Sequence, residues 1–218
     1  MTSAAVDKRL EGLTCASLVD AMGRVHEHRA DIVGLVSPSP ERMFGPAATI
    51  AYMPYRADLS PPDFAELYYQ AVDASPAGTV LVLSSGGYPE ASHGGGTKLS
   101  RLANHDAAGV LADGRLRDFE ELNDRHVIAY CRGEATRAGG DTIMPFAANV
   151  AVEIGGVCVV PGDYVFADAS GAVIIPRASL DEVLDKAVEV EAEDARFAKE
   201  IASEDPRSVR DGRGEADG

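Results

Sequence analysis

Residues 79–121 read TVLVLSSGGYPEASHGGGTKLSRLANHDAAGVLADGRLRDFEE. TVLVLSS (79–85) is a continuous apolar, β-branched run between turn signals, the pattern of a strand buried on both faces. Gly86-Gly87 and Gly94-Gly95-Gly96 then break the chain. A helix is expected from about Thr97 to Ala107, with Leu99, Leu102 and Ala103 facing inward. GVLAD (109–113) reads as the next strand, and Gly114 as the turn that ends it. Strand, helix and strand in succession indicate an α/β domain.

The flanks extend this pattern. TCASLVDAMGRV (14–25) reads as a helix capped by Thr14, with an apolar stripe of Leu18, Ala21, Met22 and Val25. Gly45-Pro46 is expected to interrupt the chain before a strand over AATIAYMPY (47–55). Pro61-Pro62 opens a helix with Phe64, Leu67, Tyr68 and Ala71 inside. HVIAYC (126–131) reads as a strand. Residues 147–175 are β-rich with several turn signals, and Gly155-Gly156 suits a tight hairpin. From Ser179 the chain turns helical, with a stripe of Leu180, Val183, Leu184, Ala187, Val188 and Glu191 that Ile201 closes. Alternation followed by a strand cluster predicts an α/β domain with a mixed sheet. Residues 1–205 are read as one domain and 206–218 as a disordered acidic tail.

Composition bounds the function. A chain of 218 residues, 45% apolar and 25% charged, suits one globular domain. No run is apolar enough to cross a membrane, and MTSAAVDKRLEGL lacks the hydrophobic segment of a signal peptide. Cys15, Cys131 and Cys158 show no metal-type pairing and read as buried, reduced thiols of a cytosolic protein. A formal charge of −15 argues against a general nucleic-acid binder, which needs a basic face. In so acidic a chain, a cation beside a glycine loop stands out.

That cation is Arg117. A glycine loop offering backbone N–H groups, a fixed guanidinium and one or two carboxylates can hold a small carboxylic acid and a divalent metal. Gly94, Gly95 and Gly96 permit close backbone approach, and amides at the start of the following helix, around Thr97, Lys98 and Leu99, suit an anion. Arg117 offers a planar fork to a carboxylate or an enolate oxygen, or pairs with a nearby acid. Asp118 and Glu121 suit a hard cation such as Mg²⁺, which keeps waters and takes few protein carboxylates. Asp118 equally suits the N-cap of a helix FEELNDR, with Glu121 completing a capping-box pattern. His93 suits a general base or water-orienting group, or a surface-loop histidine. His26 and His28 read as a solvated turn, Asp163 and Asp168 as turn formers, and the C-terminal acids as a solvated face. No GxGxxG follows a strand, so dinucleotide binding gains no support.

The ordered set LTCASLVDAMGR, FGPAATI, GTVLVLSSGG, AAGVLADGRLRD and VEIGGVCVVPGDYVFADASGAVIIP, with a charged C-terminal helix, resembles the RraA-like superfamily over about residues 10–201. That superfamily includes metal-dependent 4-hydroxy-4-methyl-2-oxoglutarate/4-carboxy-4-hydroxy-2-oxoadipate aldolases and regulators of ribonuclease E. The resemblance implies a swivelling β/β/α sandwich with a C-terminal helix, assembled as a homotrimer or homohexamer with sites at subunit interfaces. It implies that loop amides hold a pyruvyl carboxylate, that Arg117 contacts substrate and that Asp118 helps hold Mg²⁺ or Mn²⁺. Gly96, twenty residues, Arg117-Asp118, two residues and Glu121 resemble a pattern seen in part of the superfamily. Aldolase members tend to carry an acid where Gly96 aligns, in a loop resembling WGE or WGD; here the loop is HGGG. The expected activity is a metal-dependent carbon–carbon lyase on a 2-oxo acid, by retro-aldol cleavage to pyruvate or by oxaloacetate decarboxylation. The same fold also carries non-catalytic regulators.

Overall fold

The computed structural model describes residues 8–39 and 41–210. The first seven residues, Pro40 and the last eight, including most of the expected acidic tail, lie outside the described residues. The helix expected at 14–25 forms as α1 (Cys15–Val25), and Thr14 and Ser17 cap it reciprocally. Next come β1 (Asp31–Ile32) and β2 (Met43–Pro54). β2 passes straight through Gly45-Pro46, where an interruption was expected. Tertiary packing accounts for the difference. A Cβ at Gly45 would overlap the carbonyl of Gly78, so only glycine lets the two segments lie this close. Pro46 sits opposite Tyr164 in the antiparallel ladder.

α2 (Phe64–Val72) starts after both prolines, capped by Asp63, whose carboxylate accepts from the Glu66 amide at 2.8 Å. Its expected inner residues are all buried. β3 (Val80–Leu83) is shorter than the apolar run that announces it. β4 (Ser92–Gly94) leads into α3 (Gly96–Leu99), a single turn that tightens into a 3₁₀ helix over Ser100–His105. The expected continuous helix to Ala107 is therefore absent. Tighter winding moves the faces, so Leu99 and Leu102 are buried while Ala103 is exposed. β5 (Gly109–Ala112), β6 (Arg115–Leu116), α4 (Phe119–Asp124) and β7 (Ala129–Tyr130) follow.

β8 (Ile143–Ala148) precedes the hairpin of β9 (Val152–Ile154) and β10 (Val157–Val159). Gly155 and Gly156 make its turn with φ of 56° and 87°, values that favour glycine. β11 (Tyr164–Asp168) and β12 (Gly171–Ile175) lead to the long α5 (Leu180–Ala202). Pro206–Arg210 form a short α6 at the start of the expected tail.

Among the described residues, an eight-stranded mixed sheet runs β1-β12-β11-β2-β3-β5-β7, with β8 joined to β2. β2, β3, β5 and β7 are parallel; β1, β12, β11 and β8 are antiparallel to their neighbours. The period-two alternation of strands divides the core. Leu81 and Leu83 face one cluster with α2, while Val80 and Val82 face another with the β9–β10 hairpin. A third cluster packs α1 and α5 on β11 and β12. Each fully buried aliphatic side chain contributes about 1.5–3 kcal/mol. In α5 the inner face takes Val190, not Val188, and Ile201 is 61% exposed. Cys15 and Cys131 are buried as expected, but Cys158 is exposed. It lies on an outward position of β10, between inward Val157 and Val159.

Candidate active site

The parallel strands β3 and β5 end at Ser84–Gly87 and at Asp113-Gly114, and the loops beyond them build a cleft. β4 pairs in parallel with β6, so the glycine loop and the Arg-Asp pair are joined by backbone. The Arg117 amide donates to Gly94 O at 2.9 Å. On the other side of β6, the Leu116 amide donates to Gly133 O at 3.0 Å, and the Ala135 amide to Leu116 O at 2.8 Å. A cleft of about 360 Å³ opens here. Its lining includes Gly94, Gly95, Thr97, Lys98, Arg117 and Asp118 around the glycine loop, with Tyr52, Ile143 and Met144 from β2 and β8.

Asp118 takes the N-cap position of α4 but does not cap it with its side chain. Its φ of 63° and ψ of 48° are left-handed, a conformation Asp tolerates better than most residues. The carboxylate turns instead to the glycine loop, where Oδ2 accepts from the Gly96 amide at 3.2 Å. A Cβ on Gly95 would lie 2.5 Å from the same oxygen. The expected capping box with Glu121 therefore does not form. The first helical amide, that of Phe119, donates to Glu134 Oε1 at 2.9 Å.

Glu121 closes the other side of the loop. Its Oε1 pairs with Arg125 Nη2 at 2.7 Å. Its Oε2, Cδ and Cγ occupy the space that a Cβ on Gly96 would need. A carboxylate thus reaches the edge of position 96 from α4, although residue 96 has no side chain. Arg117 is partly exposed, and its one ion pair among the described residues, to Asp118 at 3.8 Å, is long. Its fork stays available to a ligand in the cleft. Lys98 is solvent-exposed by area, yet its ammonium lies 5.2 Å from the Phe64 ring centre. Desolvation, then the charge of Arg101, hold it below the ordinary lysine value. Leu99 is core, not lining.

His93 is not on a surface loop. It lies in β4, is 1% exposed, and meets Tyr52 edge-on at 4.6 Å. Its ring packs where a Cβ on Gly114 would sit, Nδ1 faces Ala91 O at 3.0 Å, and Nε2 has no hydrogen-bond partner. Tyr52 Oη donates to His93 O at 2.9 Å and ties β2 to β4. Burial holds the imidazole below its ordinary pKa, so it is neutral near pH 7. Below about pH 6.5 the unfolded chain binds a proton that the folded chain refuses. Unfolding free energy should therefore fall as pH drops below that value, by up to about 1.4 kcal/mol per unit, and be insensitive to His93 above it. Urea titrations from pH 7 to pH 5 should show a shallower slope in His93→Asn; equal slopes would count against a buried neutral ring.

The remaining expectations fall away from the cleft. His26 Nε2 meets Ser179 Oγ at 2.9 Å in the turn after α1. Asp168 binds the amides of Cys15 and Ser170, each at 2.8 Å, and so fixes the start of α1. Asp163 accepts from Val160 N at 2.9 Å, as a turn former does. Tyr52 was not legible as a site residue, because it meets His93 across a long sequence gap. Among the described residues no three His, Cys, Asp or Glu side chains group as a metal-holding set, and no helix is long and apolar enough to cross a membrane.

The mixed α/β sheet and the cleft lined by the glycine loop and the Arg-Asp pair belong to a known fold. The chain belongs to the RraA-like family, described as Aldolase/RraA, which matches residues 15–174. Protein DlpA of Legionella pneumophila is 27% identical over 78% of this chain, which spans only 28% of that relative's length. A Halalkalibacterium halodurans protein, provisionally named 4-hydroxy-4-methyl-2-oxoglutarate aldolase, is 29% identical over 74% of this chain and 73% of its own. The crystal structure of Streptomyces coelicolor RraAS2, described as an unusual member of the RNase ES inhibitor RraA family, superposes with a TM-score of 0.77. It is 26% identical and covers 91% of this chain and 97% of that one.

Proposed function

We propose that this protein is a metal-dependent lyase that cleaves a 4-hydroxy-2-oxo acid to pyruvate and a second carbonyl compound, or decarboxylates oxaloacetate. One observation carries the reading: the Asp118 carboxylate is released from helix capping and turned to the glycine loop, beside Arg117 and in the cleft. The donor set fits a hard divalent ion. Two carboxylates are the candidates to hold it: Asp118, whose Oδ2 lies 2.5 Å from the Gly95 Cβ position, and Glu121, whose Oε2 takes up the Gly96 Cβ position. Mg²⁺ or Mn²⁺ asks for few protein oxygens and fills its shell with water and substrate.

Asp118, with Glu121 beside it, would hold that ion, which as a Lewis acid supplies charge stabilisation to the carboxylate and ketone oxygens of a 2-oxo acid. The rest falls to the chain. The first amides of α3, those of Thr97 and Lys98, have no intrahelical partner by helix geometry and can receive the substrate carboxylate. In cleavage the 4-hydroxyl loses its proton, the C3–C4 bond breaks, and its electron pair moves to the C2 oxygen. Arg117, permanently charged, stabilises that oxygen as charge develops. A proton then adds to C3 and releases pyruvate. In this reading Glu121, whose Oε2 lies against Gly96, would orient the water that exchanges these protons. His93, buried and neutral, shapes the cleft floor through its carbonyl bond to Tyr52. A homotrimer or homohexamer with the cleft at a subunit boundary belongs to the same reading.

The test is pyruvate release from 4-hydroxy-4-methyl-2-oxoglutarate and from oxaloacetate, followed by a coupled dehydrogenase assay. Release that depends on Mg²⁺ and disappears in excess EDTA is expected. Full activity in EDTA would refute the metal role. Likeness to RraAS2 favours a second reading, a regulator that binds protein. No turnover and no Mn²⁺ binding, together with a protein partner recovered in a pull-down, would favour that reading over the first.

A further inference from the structure

We propose that Lys98 is a specificity-determining residue, whose ammonium receives a second carboxylate at the far end of the substrate, so that the cleft favours dicarboxylic 2-oxo acids over monocarboxylic ones. The inference rests on the lyase reading above and deepens it. Among the described residues that line the cleft, the charged ones are Lys98, Arg117 and Asp118. That reading gives Asp118 to the metal and Arg117 to the C2 oxygen. It leaves the Lys98 side chain as a cation in the cleft with no task.

Lys98 stands where the cleft meets a second groove. Lys98, Pro61 and Pro145 line both, and the groove adds Asp63, Phe64 and Arg101. Lys98 Nζ lies over the Phe64 ring and forms no ion pair among the described residues. Arg101 brings a second cation, whose Nη1 donates to Lys98 O at 3.3 Å. The acid that lines the groove, Asp63, is already engaged, because its carboxylate accepts from the Glu66 amide and caps α2. In a chain of formal charge −15, two cations against one occupied acid make a local positive field. Desolvation and the charge of Arg101 both weigh against the ammonium, and Asp63 offsets them only in part. An incoming carboxylate relieves both, so the pairing gains more here than on an open surface. Lys98 follows Gly95, whose Cβ position meets Asp118 Oδ2, by three residues, about one helical turn. A short diacid held at Asp118 by its 2-oxo end can therefore extend its far carboxylate toward the ammonium.

The experiment measures the affinities of 2-oxoglutarate and 2-oxopentanoate for the full-length protein in Mg²⁺ by titration calorimetry. The two acids share a five-carbon chain, and neither carries a 4-hydroxyl to cleave. Wild type should bind the diacid about tenfold more tightly, as a hydrogen bond between charged groups allows. Lys98→Met keeps the apolar stem and the backbone amide but removes the charge, so the preference should fall to within about twofold. Lys98→Arg restores a cation suited to a carboxylate and should restore most of the preference. In turnover, kcat/KM for 4-hydroxy-4-methyl-2-oxoglutarate should fall in Lys98→Met about tenfold further than for the monoacid 4-hydroxy-2-oxopentanoate, chiefly through KM. A preference unchanged in Lys98→Met overturns the proposal, as does a wild type that binds both acids equally or neither. A Lys98-dependent preference in a protein that releases no pyruvate refutes the lyase reading and leaves recognition by Lys98 standing.

Discussion

Asp118→Asn should lower Mg²⁺-dependent pyruvate release by about a hundred- to a thousandfold, the range seen when one group aimed at developing charge is lost. The change is nearly isosteric and removes one negative charge. It also places an NH₂ donor where the Gly96 amide now donates at 3.2 Å, so two donors would oppose each other in one rotamer. The fold should survive. Asn tolerates the left-handed φ of 63°, and α4 does not depend on residue 118 for its cap. Urea unfolding should therefore move by well under about 1 kcal/mol while the rate collapses. A variant that keeps the wild-type rate in Mg²⁺ would remove Asp118 from the chemistry.

Gly96→Ala should damage both stability and rate. The added Cβ meets Glu121 at Oε2, Cδ and Cγ together, so a small swing of the carboxylate does not clear it. Glu121 is also held at Oε1 by Arg125 Nε at 3.0 Å. Overpacking of this kind costs about 1–3 kcal/mol. Activity should fall at least about tenfold as Glu121 leaves the loop, since misplacement of about an ångström can already cost a hundredfold. The double variant Gly96→Ala/Glu121→Ala should recover the lost stability, because the collision is gone, without recovering the rate. That non-additivity is the signature of direct contact. Equal loss of stability in single and double variants would show that residue 96 is glycine for another reason.

Much of the scaffold was legible because local physics governs it. The stripes of α1 and α2 follow helical period, β3 is a run of buried aliphatics, and Gly155-Gly156 turns its hairpin by supplying positive φ. The conspicuous Arg117-Asp118 pair beside a glycine loop could be picked out on residue chemistry alone. Errors gathered where a neighbour overrode local preference. Gly45-Pro46 reads as a break, yet a close approach to Gly78 makes it strand. His93 reads as loop, yet β6 pairs with its strand and buries it. Asp118 reads as a cap, yet its left-handed backbone carries the carboxylate to the Gly96 amide instead.

The sequence by itself determined the α/β class, the family resemblance and the residues that carry charge near the loop, since periodicity and residue type are local properties. That a carboxylate lies against the HGGG loop emerges only once the chain is folded. Glu121 fills the space beside Gly96 from another element, and Asp118 in its left-handed backbone meets the Gly96 amide. Both are contacts between segments far apart in the chain. Excluded volume and unsatisfied amides select them, and neither leaves a periodic mark on the sequence.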